Sequence, residues 1–156
     1  MSLEHFQRLI KMFGQNIGFS CLEAHPKELC SLRFDDRVTI DLEYNEEQNA
    51  LLLSSLVGVL KEKESSLFYD ELLEANLLWG GTGGATIGVD PASLTVFLCY
   101  QEPLKGVSLE QFQQLVKGFS GTALFWNQRL AEGPKKKKRG AKKSSALKSS
   151  GRISES

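Results

Sequence analysis

The chain has 156 residues and a mass of 17.3 kDa, with 41% hydrophobic and 24% charged residues. That composition fits one globular domain, long enough to bury a core without disulfides or a structural metal and too short for two full-sized domains. It excludes collagen-like, mucin-like and wholly disordered chains. The longest uncharged apolar run, Ala50 to Leu60, falls far short of the roughly 20 residues that cross a bilayer as a helix. The net charge of zero hides a division. Residues 132–156 carry nine basic and two acidic side chains, net +7, and residues 1–131 carry 10 basic and 17 acidic, net −7. The N-terminus MSLEHFQRLIKMF lacks the continuous apolar stretch of a secretory signal, and the odd number of cysteines (Cys21, Cys30, Cys99) reads as free thiols in a reducing cytoplasm.

Leu3, Phe6, Leu9, Ile10, Phe13 and Ile17 recur in steps of three and four, which predicts a first amphipathic helix stopped at Gly18. After an irregular stretch the period becomes two. Cys30, Leu32 and Phe34 share one face of a strand over 29–34, Asp35-Asp36-Arg37 turns the chain, and Val38, Ile40, Leu42 and Tyr44 alternate with polar residues in a second strand. Ala50 to Leu60 is nearly continuous apolar and reads as a third strand covered on both faces. Ser65 or Ser66 is expected to cap a second helix over 67–79, with Leu72, Leu73, Ala75, Leu77 and Leu78 near its packed side. The run Gly80-Gly81-Thr82-Gly83-Gly84 ends that helix. Strands follow at Ala85–Val89 and at Leu94–Tyr100, the latter again apolar on both faces. Ser108 and Gln111 have the spacing of a capping box for a long third helix. Beyond Gly133-Pro134 the pattern stops, so residues 1–131 are expected to form the domain and 132–156 a disordered Lys-rich tail. The order α-β-β-β-α-β-β-α predicts an α+β fold, a twisted, mostly antiparallel sheet with helices on one face.

The chemistry-bearing residues point away from catalysis. The glycine run follows a helix and opens a strand, the reverse of a dinucleotide-binding loop, and no Lys follows it as a Walker loop requires. Cys21, His25 and Cys30 lack a fourth ligand and the paired spacing of a zinc site. Only His5 and His25 offer an imidazole base, and neither sits in a nucleophile motif. Asp41 and Glu43 share a strand face, where solvated carboxylates are the simpler reading. No enzyme, metal or cofactor is expected. The tail segment Lys135, Lys136, Lys137, Lys138 and Arg139 could bind nucleic acid or anionic lipid through its charge. No aromatic residue interleaves it for base stacking, and the acidic body argues against nucleic acid. The abundance of apolar positions suggests surface reserved for dimerisation or a bound partner.

The block Leu72-Leu73-Glu74-Ala75-Asn76-Leu77-Leu78-Trp79, then Gly81-Thr82-Gly83-Gly84-Ala85-Thr86-Ile87-Gly88-Val89-Asp90, then Leu94-Thr95-Val96-Phe97-Leu98, resembles the type III secretion chaperones of the Tir-chaperone (CesT-like) family. The resemblance covers roughly residues 1–131, and the basic tail is its clearest departure. It implies a non-catalytic homodimer in the bacterial cytoplasm. Such a dimer would hold the N-terminal chaperone-binding segment of one or more secreted effectors in extended form and help deliver it to the secretion apparatus. Carried over by element, it implies cargo contacts at Phe6, Ile10, Phe13, Leu32 and Phe34 and a dimer interface at Leu77, Trp79, Ile87 and Val89. The basic tail becomes a candidate docking segment for an acidic surface of the apparatus, such as its ATPase, or for a membrane. The competing reading is a nucleic-acid-associated protein anchored by that tail.

Overall fold

A computed structural model describes residues 2–16 and 29–134. The order is α1 (Ser2–Asn16), β1 (Leu29–Phe34), β2 (Val38–Asn45), β3 (Ala50–Val59), α2 (Ser65–Asn76), a 3-10 turn at Leu77–Trp79, β4 (Thr86–Asp90), β5 (Thr95–Pro103) and α3 (Leu109–Ala131). The five strands form one antiparallel sheet in the order β1-β2-β3-β5-β4, so β1 and β4 are its edges. The α+β class and element order match the reading from sequence. Ile17, Gly18, Cys21, His25 and the tail from Lys135 onward lie outside the described residues.

Turn chemistry fixes the register. Asp35 and Asp36 both adopt positive φ (51° and 52°), and the Arg37 amide donates to the Phe34 carbonyl at 3.0 Å. Two left-handed central residues match the right-handed twist of the flanking strands, and Asp tolerates that conformation better than most residues. The register Phe34↔Val38, Leu32↔Ile40 and Cys30↔Leu42 then puts both apolar sets on one face. α1 and α3 cover that face. Phe6 stacks on Tyr44 with centroids 6.1 Å apart, and Phe13 meets Phe112 edge-on at 5.5 Å. Leu42, Leu51, Leu53 and Leu98 of the sheet and Phe112 of α3 are completely buried between the two layers. α3 crosses closely over β3 at Gly58, where an added Cβ would stand 2.9 Å from Leu130 Cδ1.

Three expectations are corrected. β3 is not covered on both faces: Leu56 and Val59 are exposed on the far side, where no helix of the described residues lies. Neither serine caps α2. Its N-cap is Glu64, without a side-chain cap bond, and the Ser65 hydroxyl donates back to the Glu62 carbonyl instead. α2 ends at Asn76 rather than Trp79, because Leu78 and Trp79 turn left-handed (φ 51° and 56°). The capping box of α3 is present as expected: the Gln111 amide donates to Ser108 Oγ at 3.2 Å, and the Ser108 amide donates to Gln111 Oε1 at 2.9 Å.

Candidate functional site

The two ends of the sheet differ in what they leave available. At the β4 end, α2 is apolar on two opposite sides. Phe68, Leu72 and Ala75 are buried, whereas Tyr69, Leu73 and Leu77 form a stripe at four-residue spacing that faces solvent, so Leu73, Leu77 and Leu78 are not on the packed side. The stripe runs into the left-handed corner, where Leu78 is 85% exposed, and Phe125 of α3 is also exposed. Contiguous apolar surface of this kind marks an interaction site.

This end is held rigidly from behind. Asn76 uses its whole side-chain amide on β4, donating from Nδ2 to the Ile87 carbonyl at 2.9 Å and accepting from the Ile87 amide at 2.8 Å. That amide copies a strand partner, so the β4 edge is closed at Ile87. Arg129 in the last turns of α3 forms a forked pair with Glu71 of α2, both contacts at 2.7 Å, donates to the Gly133 carbonyl at 2.7 Å, and lies 5.6 Å from the Phe68 ring centroid. Trp126 Nε1 donates to the Gly81 carbonyl at 2.8 Å. The glycine loop therefore serves as a helix stop and return pinned to α3.

The β1 end is the reverse. No described strand pairs with its outer edge. Its side chains turn inward: Cys30 and Leu32 are buried and Phe34 is half-buried. Burial, with a smaller contribution from Asp41, pushes the Cys30 thiol up to about 11. Burial also raises Cys99, and the hydrogen bond to Glu102 raises Tyr100.

Of the residues expected to touch cargo, Phe6, Ile10, Phe13 and Leu32 come together in the core, and Phe34 keeps some surface. Of those expected at a dimer interface, Leu77 and Trp79 are exposed, Ile87 is buried and Val89 half-buried, both on the covered face. Lys135, Lys136, Lys137, Lys138 and Arg139 lie outside the described residues. Asp41 and Glu43 share the uncovered face of β2, with Asp41 accepting from Ser31 Oγ at 2.5 Å. Among the described residues no group of three or more His, Cys, Asp or Glu could hold a metal ion, and no helix is long and apolar enough to cross a membrane. Sequence reasoning missed Asn76, Phe125, and the Glu71–Arg129 pair, whose partners are brought together only by the fold.

The profile of the Tir chaperone protein (CesT) family matches residues 8–127. The chain belongs to this family. It is a chaperone family, and the fold agrees with it. A chain of the ExsC–ExsE complex superposes with a TM-score of 0.65 at 26% identity, covering 79% of this chain and 91% of that one. A chain of the HopA1–SchA chaperone–effector complex gives 0.68 at 19% identity, covering 82% and 97%. The complex of the Yersinia pestis type III secretion chaperone SycH with a fragment of YscM2 gives 0.59 at 18%, covering 78% and 98%. The last two identities speak for the fold alone. No curated protein sequence matches the chain.

Proposed function

We propose that this CesT-family protein is a homodimeric type III secretion chaperone of the bacterial cytoplasm. It holds the N-terminal chaperone-binding segment of one or more effectors in extended, soluble form for delivery to the secretion apparatus. The family match over residues 8–127 carries this reading. The difference between the sheet ends supports a division of labour. The β1 edge suits an extended segment that adds main-chain hydrogen bonds as a sixth strand, with Phe34 the expected cargo residue that has surface to offer. The α2 stripe and the corner suit a second copy. Leu77 and Trp79 make the contact, and Ile87 and Val89 support β4 from within. The body charge of −7 keeps a holder of apolar clients soluble. Lys135 to Arg139 would dock on an acidic surface of the apparatus, such as its ATPase, or on a membrane. Removing residues 132–156 then lowers delivery and leaves cargo binding intact.

The test begins with capture from nuclease-treated extract of the source bacterium, followed by amide exchange on the complex with the N-terminal segment of a captured secreted protein. The expected result is new protection over residues 29–34 and none at β4. Recovery of nucleic-acid-binding proteins alone, lost with nuclease or with the tail, would instead favour the nucleic-acid reading and leave only the fold.

A further inference from the structure

The exposed face of α2 is acidic as well as apolar. Ser65–Asn76 holds three acidic residues, Asp70, Glu71 and Glu74, and no basic one. Glu71 is taken by the fork of Arg129. Asp70 and Glu74 are exposed and stand one helical turn apart, in a row beside the stripe of Tyr69, Leu73 and Leu77. Glu62 and Glu64 lie in the segment that leads into the helix. A basic segment with a few aliphatic residues would match this face in both respects.

The chain itself carries such a segment, and its point of departure is fixed. The Arg129 guanidinium that holds Glu71 also donates to the Gly133 carbonyl at 2.7 Å, so one side chain ties the finish of α3 to the middle of α2. Gly133 turns left-handed (φ 83°), and both it and Pro134 are half-buried. The chain therefore leaves along the body rather than straight off the helix into solvent. Another 22 residues follow, outside the described residues, with nine basic side chains, one acidic, and the aliphatic residues Leu147 and Ile153. Extended, they reach roughly 70 Å, whereas α2 is about 18 Å long.

We propose that residues 135–156 fold back over this face of their own chain, lysines against Asp70 and Glu74 and aliphatic side chains over the stripe. Other acidic surface suits the tail less. Glu46 and Glu47 sit in the turn that opens β3, at the opposite end of that strand from Gly58, where Leu130 of α3 packs. Asp41 and Glu43 have Arg33 on the same face of the neighbouring strand, and Asp41 already accepts from Ser31. Exposed ion pairs are individually weak, so the contact uses several lysines at once and gains from the short tether. It has a regulatory consequence. A tail held on its own body is withheld from outside acidic surfaces until a second copy takes the α2 face. That consequence rests on the homodimer proposed above; the contact within the chain does not.

The test is zero-length cross-linking of the full chain with a carbodiimide, which joins a lysine amine to a carboxylate touching it, read by mass spectrometry. Mixing isotope-labelled and unlabelled chains separates links within a chain from links between copies. The expected result is within-chain links from the tail lysines concentrated on Asp70 and Glu74. They should fall about tenfold as ionic strength rises from about 0.01 M to about 1 M, because the screening length shrinks from about 30 Å to about 3 Å. Asp70→Lys with Glu74→Lys removes the site. Adding Lys135→Glu, Lys136→Glu, Lys137→Glu and Lys138→Glu should restore links between the same positions with the charges exchanged. Tail links spread evenly over Asp41, Glu43, Glu46, Glu47 and α2, links found only between copies, or no recovery on charge exchange overturns the contact. Sedimentation of the full chain reads the consequence. The variant K135Q/K136Q/K137Q/K138Q should pair about threefold more tightly than the parent at low ionic strength, the scale of an exposed ion pair, and equally at high. Pairing that ignores this change overturns the regulation while the cross-links still decide the contact. A parent that is monomeric at every concentration overturns the homodimer, and the within-chain links then stand or fall without it.

Discussion

The β4 end of the sheet has the outward groups of Ile87 bonded and apolar side chains of α2 exposed, whereas the β1 end has Cys30 and Leu32 buried and, among the described residues, no strand paired with its outer edge. At β4, Asn76 occupies the Ile87 amide and carbonyl, and the apolar stripe of α2 faces outward. At β1, Cys30 and Leu32 are core residues, and the described sheet simply stops. The difference teaches which kind of partner each end suits. One end offers side-chain packing, which works for a rigid and self-complementary surface. The other offers backbone hydrogen bonds, which suit an extended segment of almost any sequence. Each end also has its own support, polar bonds at β4 and the buried side chains of Cys30 and Leu32 at β1, so each can be loosened separately.

The largest effect is expected from Arg129→Ala. The pair with Glu71 has side chains 8% and 24% exposed, so the variant leaves a carboxylate short of its partner in a mostly enclosed place. The expected loss is about 3 kcal/mol, with the partial exposure of Glu71 holding it near the low end for a broken buried pair. Arg129→Lys keeps the charge but not the fork and should fall between. Amide exchange should rise across α2 and β4 and stay unchanged in β1. Equal loosening of both ends would mean that α3 transmits the damage, and the comparison would fail.

The next effect belongs to the β1 end and shows itself through pH. The buried Cys30 thiol stays protonated in the folded chain to about pH 11, against an ordinary value of 9.0. The unfolded chain therefore releases its proton first. The contribution is complete below pH 9 and is lost as pH rises toward 11, a fall on the order of 2 kcal/mol. Urea unfolding of the parent and of Cys30→Ala at pH 8 and again near 10.5 isolates this, because the other titrating groups are common to both. A parent that loses no more stability than the variant across that range would show that water reaches this end.

Asn76→Ala should cost about 2 kcal/mol, since it leaves the Ile87 amide and carbonyl without their partner. It also converts the β4 edge into one like β1. Fast amide exchange at Ile87, together with new concentration-dependent strand association, would sharpen the comparison. A variant that kept β4 protected would show that the Asn76 amide is dispensable for closing the edge.

Much of this fold is legible in the sequence, because period and turn chemistry are local. Strand β1 over 29–34, the Asp35-Asp36 turn and the capping box of α3 are all read from residues a few positions apart. What is not legible is which apolar side chain the chain covers itself. Leu72 and Leu73 are adjacent and chemically identical, yet one is 4% and the other 69% exposed. The same ambiguity made β3 read as covered on both faces, and the residues of α1 to which the resemblance carried cargo contacts, Phe6, Ile10 and Phe13, are buried in the single chain. The glycine run drew attention to Gly80 as the start of the turn, while the chain already turns at Leu78, against the preference of a leucine. The Glu71–Arg129 pair joins residues 58 apart, a distance over which no spacing rule speaks.

The smallest effect tests whether the two ends are independent. α3 is fastened at both of its own ends, by the Ser108–Gln111 box at its start and by Arg129 near its finish. Ser108→Ala removes an exposed cap and should cost about 1 kcal/mol. Ser108 and Arg129 are 21 positions apart, which in a helix is about 30 Å. With no shared partner, the losses in the double variant Ser108→Ala/Arg129→Ala should add to within about 0.5 kcal/mol. Additivity means that the two ends of α3 are held independently. A double variant that loses clearly less than the two singles together would mean that releasing one end of α3 already frees the other. The helix would then carry a loss at one of its ends to the other.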